Sequence, residues 1–198
     1  MSLIDSLSDP LLTVLPTLGG GWLVTTRVTD RWEQIKQSRE MDLNAAQDFQ
    51  RLYGEFVSIW KSWDSLKGSH SPVTAPEHPG WAYLERASAM EGQIEALMAK
   101  LAAERFLAEE QIDILGGVRQ AFKEVRGSIH RGEPLGWWSS EVEQYAALKS
   151  LSAAMSVIIG ETSWLKSRPD VTTAARNFKE ITSNRHEISW IHTAQRLN

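Results

Sequence analysis

The stretch LNAAQDFQRLYGEFVSIWKSW, residues 43–63, repeats apolar side chains at intervals of three and four residues. This spacing places them on one face of an α-helix. The stripe consists of Leu43, Ala46, Phe49, Leu52, Tyr53, Phe56, Trp60 and Trp63. The helical pattern extends back to about Trp22 and ends near Leu66, because residues 67–80 contain three prolines and two glycines. We therefore predict one helix over 22–66, roughly 65 Å long.

Two helical segments follow the proline-rich loop. Trp81 opens the second helix, and its apolar face reaches roughly Leu107. The sequence AEEQ at residues 108–111 places acids where a third helix would begin, which suits the positive end of a helix dipole. The sequence RGEPLG at residues 131–136 ends this third helix.

The last two segments have capping residues of their own. Ser139 or Ser140 is expected to cap the fourth helix, since Glu143 lies three residues after Ser140 as a capping box requires. Asp170 is expected to cap a last helix whose apolar face continues to Ile191. No alternation typical of a strand lasts long enough to compete with these helices.

The predicted fold is all-α. A long N-terminal helix projects from an antiparallel helical bundle of four to five helices. We expect residues 1–29 to form a hydrophobic N-terminal segment and residues 30–198 to form the bundle domain.

Composition excludes several classes of protein. The net charge of -4 and the pI near 5.8 give no basic surface for nucleic acid, so a nucleic-acid partner is not indicated. The absence of cysteine excludes disulfides, thiolate metal sites and cysteine nucleophiles. Nine tryptophans are unusual, and such side chains stabilise cores and interfaces and gather at membrane–water boundaries.

The opening segment carries no charged residue from Pro10 to Thr26. A run of about 17 residues reaches only the lower limit for a transmembrane helix. Pro16 and three successive glycines weaken an isolated helix, whereas small residues let membrane helices approach one another closely. The predicted membrane anchor or arm consists of Leu11, Leu12, Val14, Leu15, Leu18, Gly19, Gly20, Gly21, Trp22, Leu23 and Val24.

Charges that flank this run indicate an orientation. Only two acids precede it, whereas four basic residues follow it: Arg27, Arg31, Lys36 and Arg39. Because basic residues favour the cytoplasmic side, the helical body is expected in the cytoplasm, with membrane lipid as a partner. The alternative is a cytoplasmic protein whose arm packs on its own body or on a protein partner.

Three stretches of the chain resemble a group of small bacterial proteins. They are DRWEQIKQSREMDLNAAQDFQRLYGEFVSIWKSW at residues 30–63, RGEPLGWWSS at 131–140 and ITSNRHEISW at 181–190. Proteins of this group begin with a hydrophobic segment, followed by a helical cytoplasmic domain with an LYGEF–W–W signature. The resemblance implies a membrane anchor at a bacterial inner membrane and carries no activity.

Few residues indicate a catalytic or metal-binding function. Glu55, with Lys61 and Asp64 on the same helix, is a candidate polar site, but ion pairing on a helix surface is the favoured explanation. No pair of histidines has the i, i+4 spacing of a helical zinc site, and neither a metal nor a cofactor is expected.

Arg185 and His192 supply the alternative catalytic hypothesis. They match the loose Arg-x4–6-His pattern of HEPN-type helical ribonucleases, which would orient a 2′-hydroxyl and stabilise a phosphate. A chain of this composition is expected to show such a match about once by chance. Surface or capping roles are therefore favoured, and no catalytic residue is assigned.

Two further pairs have a structural and a functional interpretation. Gly116 and Gly117 lack the preceding strand and the GK[ST] ending of a phosphate-binding loop, so a helix junction or close packing is expected. Trp137 and Trp138 lie beside Pro134 and Gly136, where anchoring of a loop competes with an interface role.

Two functional classes remain. The first is a non-enzymatic, membrane-associated homo-oligomer whose threonines in the opening segment face a polar lumen, as in a pore-forming or membrane-acting effector. Bacterial antiviral defence systems use small effectors of this design, which is an analogy only. The second class is a soluble helical adaptor or a HEPN-like RNA-cleaving module.

Overall fold

The computed structural model describes residues 8–66, 71–137, 142–161 and 168–197, without the side chains of 8–28, 30, 31, 34, 37, 38, 41 and 188. Within these ranges every regular element is an α-helix, which confirms the predicted all-α bundle. The helices are α1 (Ser8–Asp64), α2 (Trp81–Glu104), α3 (Glu109–Arg131), α4 (Glu143–Gly160), α5 (Val171–Ile181) and α6 (Arg185–Gln195).

Contacts divide the chain into two units, with the boundary between Met41 and Asp42. The predicted domain boundary after residue 29 stays a prediction. Helix α1 begins at Ser8 instead of near Trp22. Its first turn contains Pro10, which is tolerated there because the first backbone N–H groups of a helix have no partner within the helix.

The apolar stripe of α1 enters the core as predicted. Phe49, Leu52, Phe56, Trp60 and Trp63 are buried. The exception is Leu43, which is 62% exposed although its spacing placed it on the same face. Spacing alone cannot show where a partner surface begins, so the first member of the stripe was predicted wrongly.

Aromatic rings from distant parts of the sequence meet in the centre of the bundle. Phe56 packs on Phe122 of α3 with ring centroids 4.9 Å apart. Trp60 lies 5.9 Å from Trp137, which lies 5.9 Å from Trp190 of α6. Helix α3 contacts α2, α4, α5 and α6 and so forms the middle of the bundle.

The end of α1 holds the loop that follows α3. Asp64 accepts hydrogen bonds from the backbone N–H groups of Leu135, at 2.8 Å, and Gly136, at 2.9 Å. The indole N–H of Trp63 donates to the carbonyl of Glu133 at 2.8 Å. These bonds place Trp137 against the core.

Arg105, which follows α2, ties three helices together. Its guanidinium donates to the carbonyls of Ile158, Ile159 and Glu161 at the end of α4 and to the carboxylate of Asp42 in α1, the last at 2.5 Å. The last carbonyls of a helix have no partner within the helix, so this buried arginine supplies the donors that they need.

One predicted cap is confirmed and one is wrong. Asp170 precedes α5, and its carboxylate accepts from the N–H of Thr173 at 2.7 Å. Helix α4 begins at Glu143, and its N-cap is Val142 instead of Ser139 or Ser140. The acid therefore lies in the first turn itself, where the helix dipole favours it.

The predicted last helix is two helices. Helix α5 ends at Ile181 and α6 begins at Arg185. Between them, the hydroxyl of Thr182 donates to the carbonyl of Phe178 at 2.9 Å. Short polar side chains such as Thr, Ser and Asn compete for backbone groups, and the apolar spacing that continues across this turn concealed the break.

Candidate functional site

Helix α6 carries both residues of the ribonuclease hypothesis. Arg185 is its first residue, and its Nη2 donates to Oδ1 of Asp113 in α3 at 3.1 Å. His192 lies two turns later, with Nδ1 2.9 Å from Oε1 of Gln195. In the described ranges the two side chains therefore bind different partners and share no hydrogen bond. Their catalytic role stays a prediction.

Asp113 is the centre of the polar cluster that the structure assembles between α3 and α6. Besides Arg185 it binds Arg196, whose Nη2 lies 3.4 Å from Oδ2. Nδ1 of His186 lies 3.9 Å from Oδ1. Sequence reasoning missed Asp113, although one signal was available. Arg185 and Arg196 are eleven residues apart, about three helical turns, so they share one face of α6 and can bind a common acid.

His186 fills a narrow space in this cluster. Its side chain is 2% exposed, and Nε2 lies 3.0 Å from the carbonyl of Glu180. Burial lowers the pKa of His186 below its ordinary value, although the Glu180 carbonyl and Asp113 oppose this shift. The neutral ring is favoured, and its Nε2–H donates to Glu180.

The glycines of α3 make room for this packing. A Cβ atom on Gly116 would overlap the His186 ring, and one on Gly117 would lie 3.2 Å from Leu151. Both glycines are buried in the interior of α3. Close packing is therefore confirmed as their role, and the suggested helix junction is wrong because α3 is continuous.

The loop before α2 contains a serine–histidine pair that the sequence did not indicate. Oγ of Ser71 lies 2.8 Å from Nε2 of His78, and the N–H of Gly80 donates to Nδ1 of His78 at 2.9 Å. Because Nδ1 accepts, the neutral ring carries its proton on Nε2 and donates it to Ser71. This arrangement is the reverse of a serine nucleophile with a histidine base, which must accept the hydroxyl proton.

Glu55 forms an ion pair, as the favoured explanation predicts. Its Oε1 lies 2.7 Å from Nη2 of Arg86 in α2, with both side chains well exposed. Asp64, the other acid considered there, binds the loop of Leu135 and Gly136 instead. In the part of the chain that the structure covers, no group of three or more His, Asp or Glu could hold a metal ion.

The structure describes only one of the two adjacent tryptophans. Trp137 is 2% exposed and belongs to the core, so it anchors its loop. Trp138 lies outside the described residues, and the interface role predicted for the pair stays a prediction.

All members of the predicted membrane segment, Leu11 to Val24, lie within α1, but their side chains are outside the description. No helix among the described residues has both the length and the apolar character needed to cross a membrane.

Comparisons with protein-family models, curated proteins and solved structures found no match for this chain. The resemblance to the group of small bacterial proteins therefore rests on the three motifs quoted above. Two of their most prominent residues, Trp60 and Trp63, contribute to the core and to the anchoring of a loop.

Proposed function

We propose that this chain is a non-enzymatic, membrane-associated helical protein that forms homo-oligomers through its bundle and its opening segment. The observation that carries the proposal is the uncharged run from Pro10 to Thr26, which lies in the same helix as the core residues of the bundle. An uncharged helical segment of this length needs an apolar environment, and a membrane or copies of itself can supply one.

The residues after this run support a position at a membrane surface. Trp32 is 67% exposed, and exposed charged residues surround it in sequence, among them Lys36 and Arg39. Trp32 follows Thr26 by six residues, which is about 9 Å along a helix. Tryptophan and basic side chains are both favoured at the headgroup level of a bilayer.

Self-association is supported by an uncharged groove between α1 and α4, within the unit that begins at Asp42. Its volume is about 340 Å³, and it is lined by Phe49, Gln50, Tyr53, Ser152, Ala153 and Ser156. Beside it on α4, Val157 is 65% exposed. A symmetric dimer places one surface patch against its own copy, and an uncharged patch does so without like-charge repulsion.

Oligomerisation would also compensate for the glycines and threonines that make the opening segment a poor single span in lipid. Its glycines favour close contact between neighbouring helices, and Thr13, Thr17, Thr25 and Thr26 would provide polar contacts or a polar lining. We infer that the assembled form acts on the membrane itself. The contacts of Arg185 and His192 do not favour the ribonuclease alternative.

A fractionation experiment tests membrane association. The full chain is expressed, and its membranes are collected and washed with alkaline carbonate. We expect the wild type to stay in the pellet and Leu18→Asp to move to the supernatant, because a charge in the uncharged run opposes burial in lipid. The control Val171→Asp, at a position 86% exposed, should behave as wild type. Recovery of the wild type as a soluble monomer without detergent would overturn the proposal.

A second variant tests the groove. Ser156→Arg introduces a long, charged side chain into the uncharged groove and should reduce chemically cross-linked oligomers several-fold, because the two copies would then oppose their charges. Ser58→Arg makes the same change at an exposed position of α1 outside the groove and should leave the oligomers unchanged. Equal cross-linking of both variants would exclude this surface as the interface.

A further inference from the structure

A second groove lies between α3 and α6. Its volume is about 250 Å³. It is lined by Gln120, Lys123, Glu124, Arg126, Gly127, Arg131, Glu187 and Trp190. Trp190 supplies an aromatic wall, and most of the other lining residues are polar or charged.

Each cation that lines this groove already has an acidic partner. Nζ of Lys123 lies 3.1 Å from Glu187. Nε of Arg131 lies 2.6 Å from Glu133. Arg126 pairs with Glu91 of α2. An anionic ligand would have to displace one of these carboxylates, so the groove is poorly suited to anions.

Glu124 differs from the other acids around the groove. It has no ion pair and no hydrogen bond with any described residue. Burial raises the pKa of its carboxyl, and the nearby Arg131 offsets this only in part. The groove therefore contains a partly desolvated carboxyl group with which no described cation forms a direct ion pair.

Gln120 provides a second acceptor, one helical turn before Glu124. Its side chain is 3% exposed, and its amide Nε2 donates to the carbonyl of Ser183 at 3.4 Å. Within the described ranges, no donor reaches its Oε1. Gln120 lines the groove, and residues four apart on a helix lie on the same face, so its Oε1 and the Glu124 carboxylate are neighbours there. Two acceptors on one wall of the groove therefore lack a donor.

We propose that this groove binds an organic monocation, an alkylammonium or alkylguanidinium group, whose N–H donors reach the Glu124 carboxylate and Oε1 of Gln120. Ammonium and guanidinium groups each have one positive charge and several N–H donors. They can therefore neutralise the single charge of Glu124 and donate to both acceptors at once. The Trp190 ring gives such a cation an apolar wall. The group can belong to a free small molecule or to a lysine or arginine side chain of a protein.

Nuclear magnetic resonance of the full chain, titrated with ethylguanidinium and separately with ethylammonium, tests the site. We expect saturable shifts of the Gln120 side-chain amide and the Trp190 indole. Glu124→Gln keeps the shape of the side chain and removes its charge, and it should weaken binding at least about tenfold. The control Glu110→Gln removes an exposed acid near the start of the same helix and should leave binding unchanged.

Two further measurements complete the test. Gln120→Met removes the second acceptor at similar size and should also weaken binding. A blocked Ala-Arg-Ala peptide that binds as well as ethylguanidinium would identify a protein side chain as the ligand, whereas binding of the free cation alone would identify a small molecule. Absence of saturation with both cations, or equal binding by wild type and Glu124→Gln, would overturn the proposal.

Discussion

Asp113 and Glu124 are acids on the same helix, and both lie beside α6, yet their surroundings are opposite. Asp113 binds Arg185 and Arg196. Glu124 forms no ion pair and no hydrogen bond with a described residue, and burial raises its pKa. The Asp113 end of the α3–α6 contact therefore joins two helices of the chain, whereas the acid at the Glu124 end forms no direct ion pair with a described residue. The sequence position of an acidic residue therefore does not show whether it stabilises the fold or is open to a ligand, because that depends on which cations lie next to it.

The largest difference in free energy of unfolding between the Asp113 end and the Glu124 end is expected when a glycine near each end is replaced by alanine. Gly116→Ala forces a methyl group into the His186 ring and should lower the free energy of unfolding by about 1–3 kcal/mol. Gly127→Ala meets only the guanidinium tip of Arg131, at 3.0 Å, which can move, and should raise the free energy of unfolding by about 0.5–1 kcal/mol. Urea unfolding measures both. Equal effects would mean that packing at the two ends is alike.

The second comparison removes the charge of each acid. Asp113→Asn weakens the bonds to two partly exposed arginines and should lower the free energy of unfolding by about 1 kcal/mol. Glu124→Gln should change it by less than about 0.5 kcal/mol, and upward at neutral pH, because a neutral amide avoids the burial of a charge. Thermal unfolding of both variants beside the wild type measures this contrast. A loss of stability in Glu124→Gln as large as that in Asp113→Asn would contradict it.

The smallest expected effect is a dependence of stability on pH, which comes from His186 at the Asp113 end. The pKa of His186 lies below its ordinary value of 6.5 in the folded chain. Between the folded value and 6.5 the unfolded chain binds more protons, so the stability contributed by the neutral ring is present above about pH 6.5 and is lost as the pH falls. Arg185 and Arg119 lower this pKa further, whereas Asp113 and the Glu180 carbonyl raise it, which keeps the effect small.

Urea unfolding at about pH 7.5 and about pH 5.5 measures this dependence. The wild type should lose stability at the lower pH. His186→Gln should lose less, since its amide does not titrate, whereas His130→Gln, at an exposed position, should retain the full dependence. A wild-type chain equally stable at both values would show that His186 does not titrate differently on folding.

Much of the fold could be predicted from sequence because its signals are local. The apolar spacing from Phe49 to Trp63, the prolines after Leu66 and the cap at Asp170 each determine a helix or its end through neighbouring residues. The turn at residues 182–184 could not be predicted, since the apolar spacing continues across it. The site was harder to predict, because Asp113 and Glu124 differ only in what other helices bring to them.

The bonds between the end of α1 and the loop after α3 join residues about seventy positions apart. The loop has no helical hydrogen bonds of its own at Leu135 and Gly136, so the N–H groups there are protected from solvent exchange only while Asp64 is in place. During folding, this loop can therefore acquire its native conformation only after α1 has packed on α3, and Trp137 joins the core with it. The contacts of Trp137 with Phe56 and Trp60 thus form late in folding, because they close a long stretch of chain.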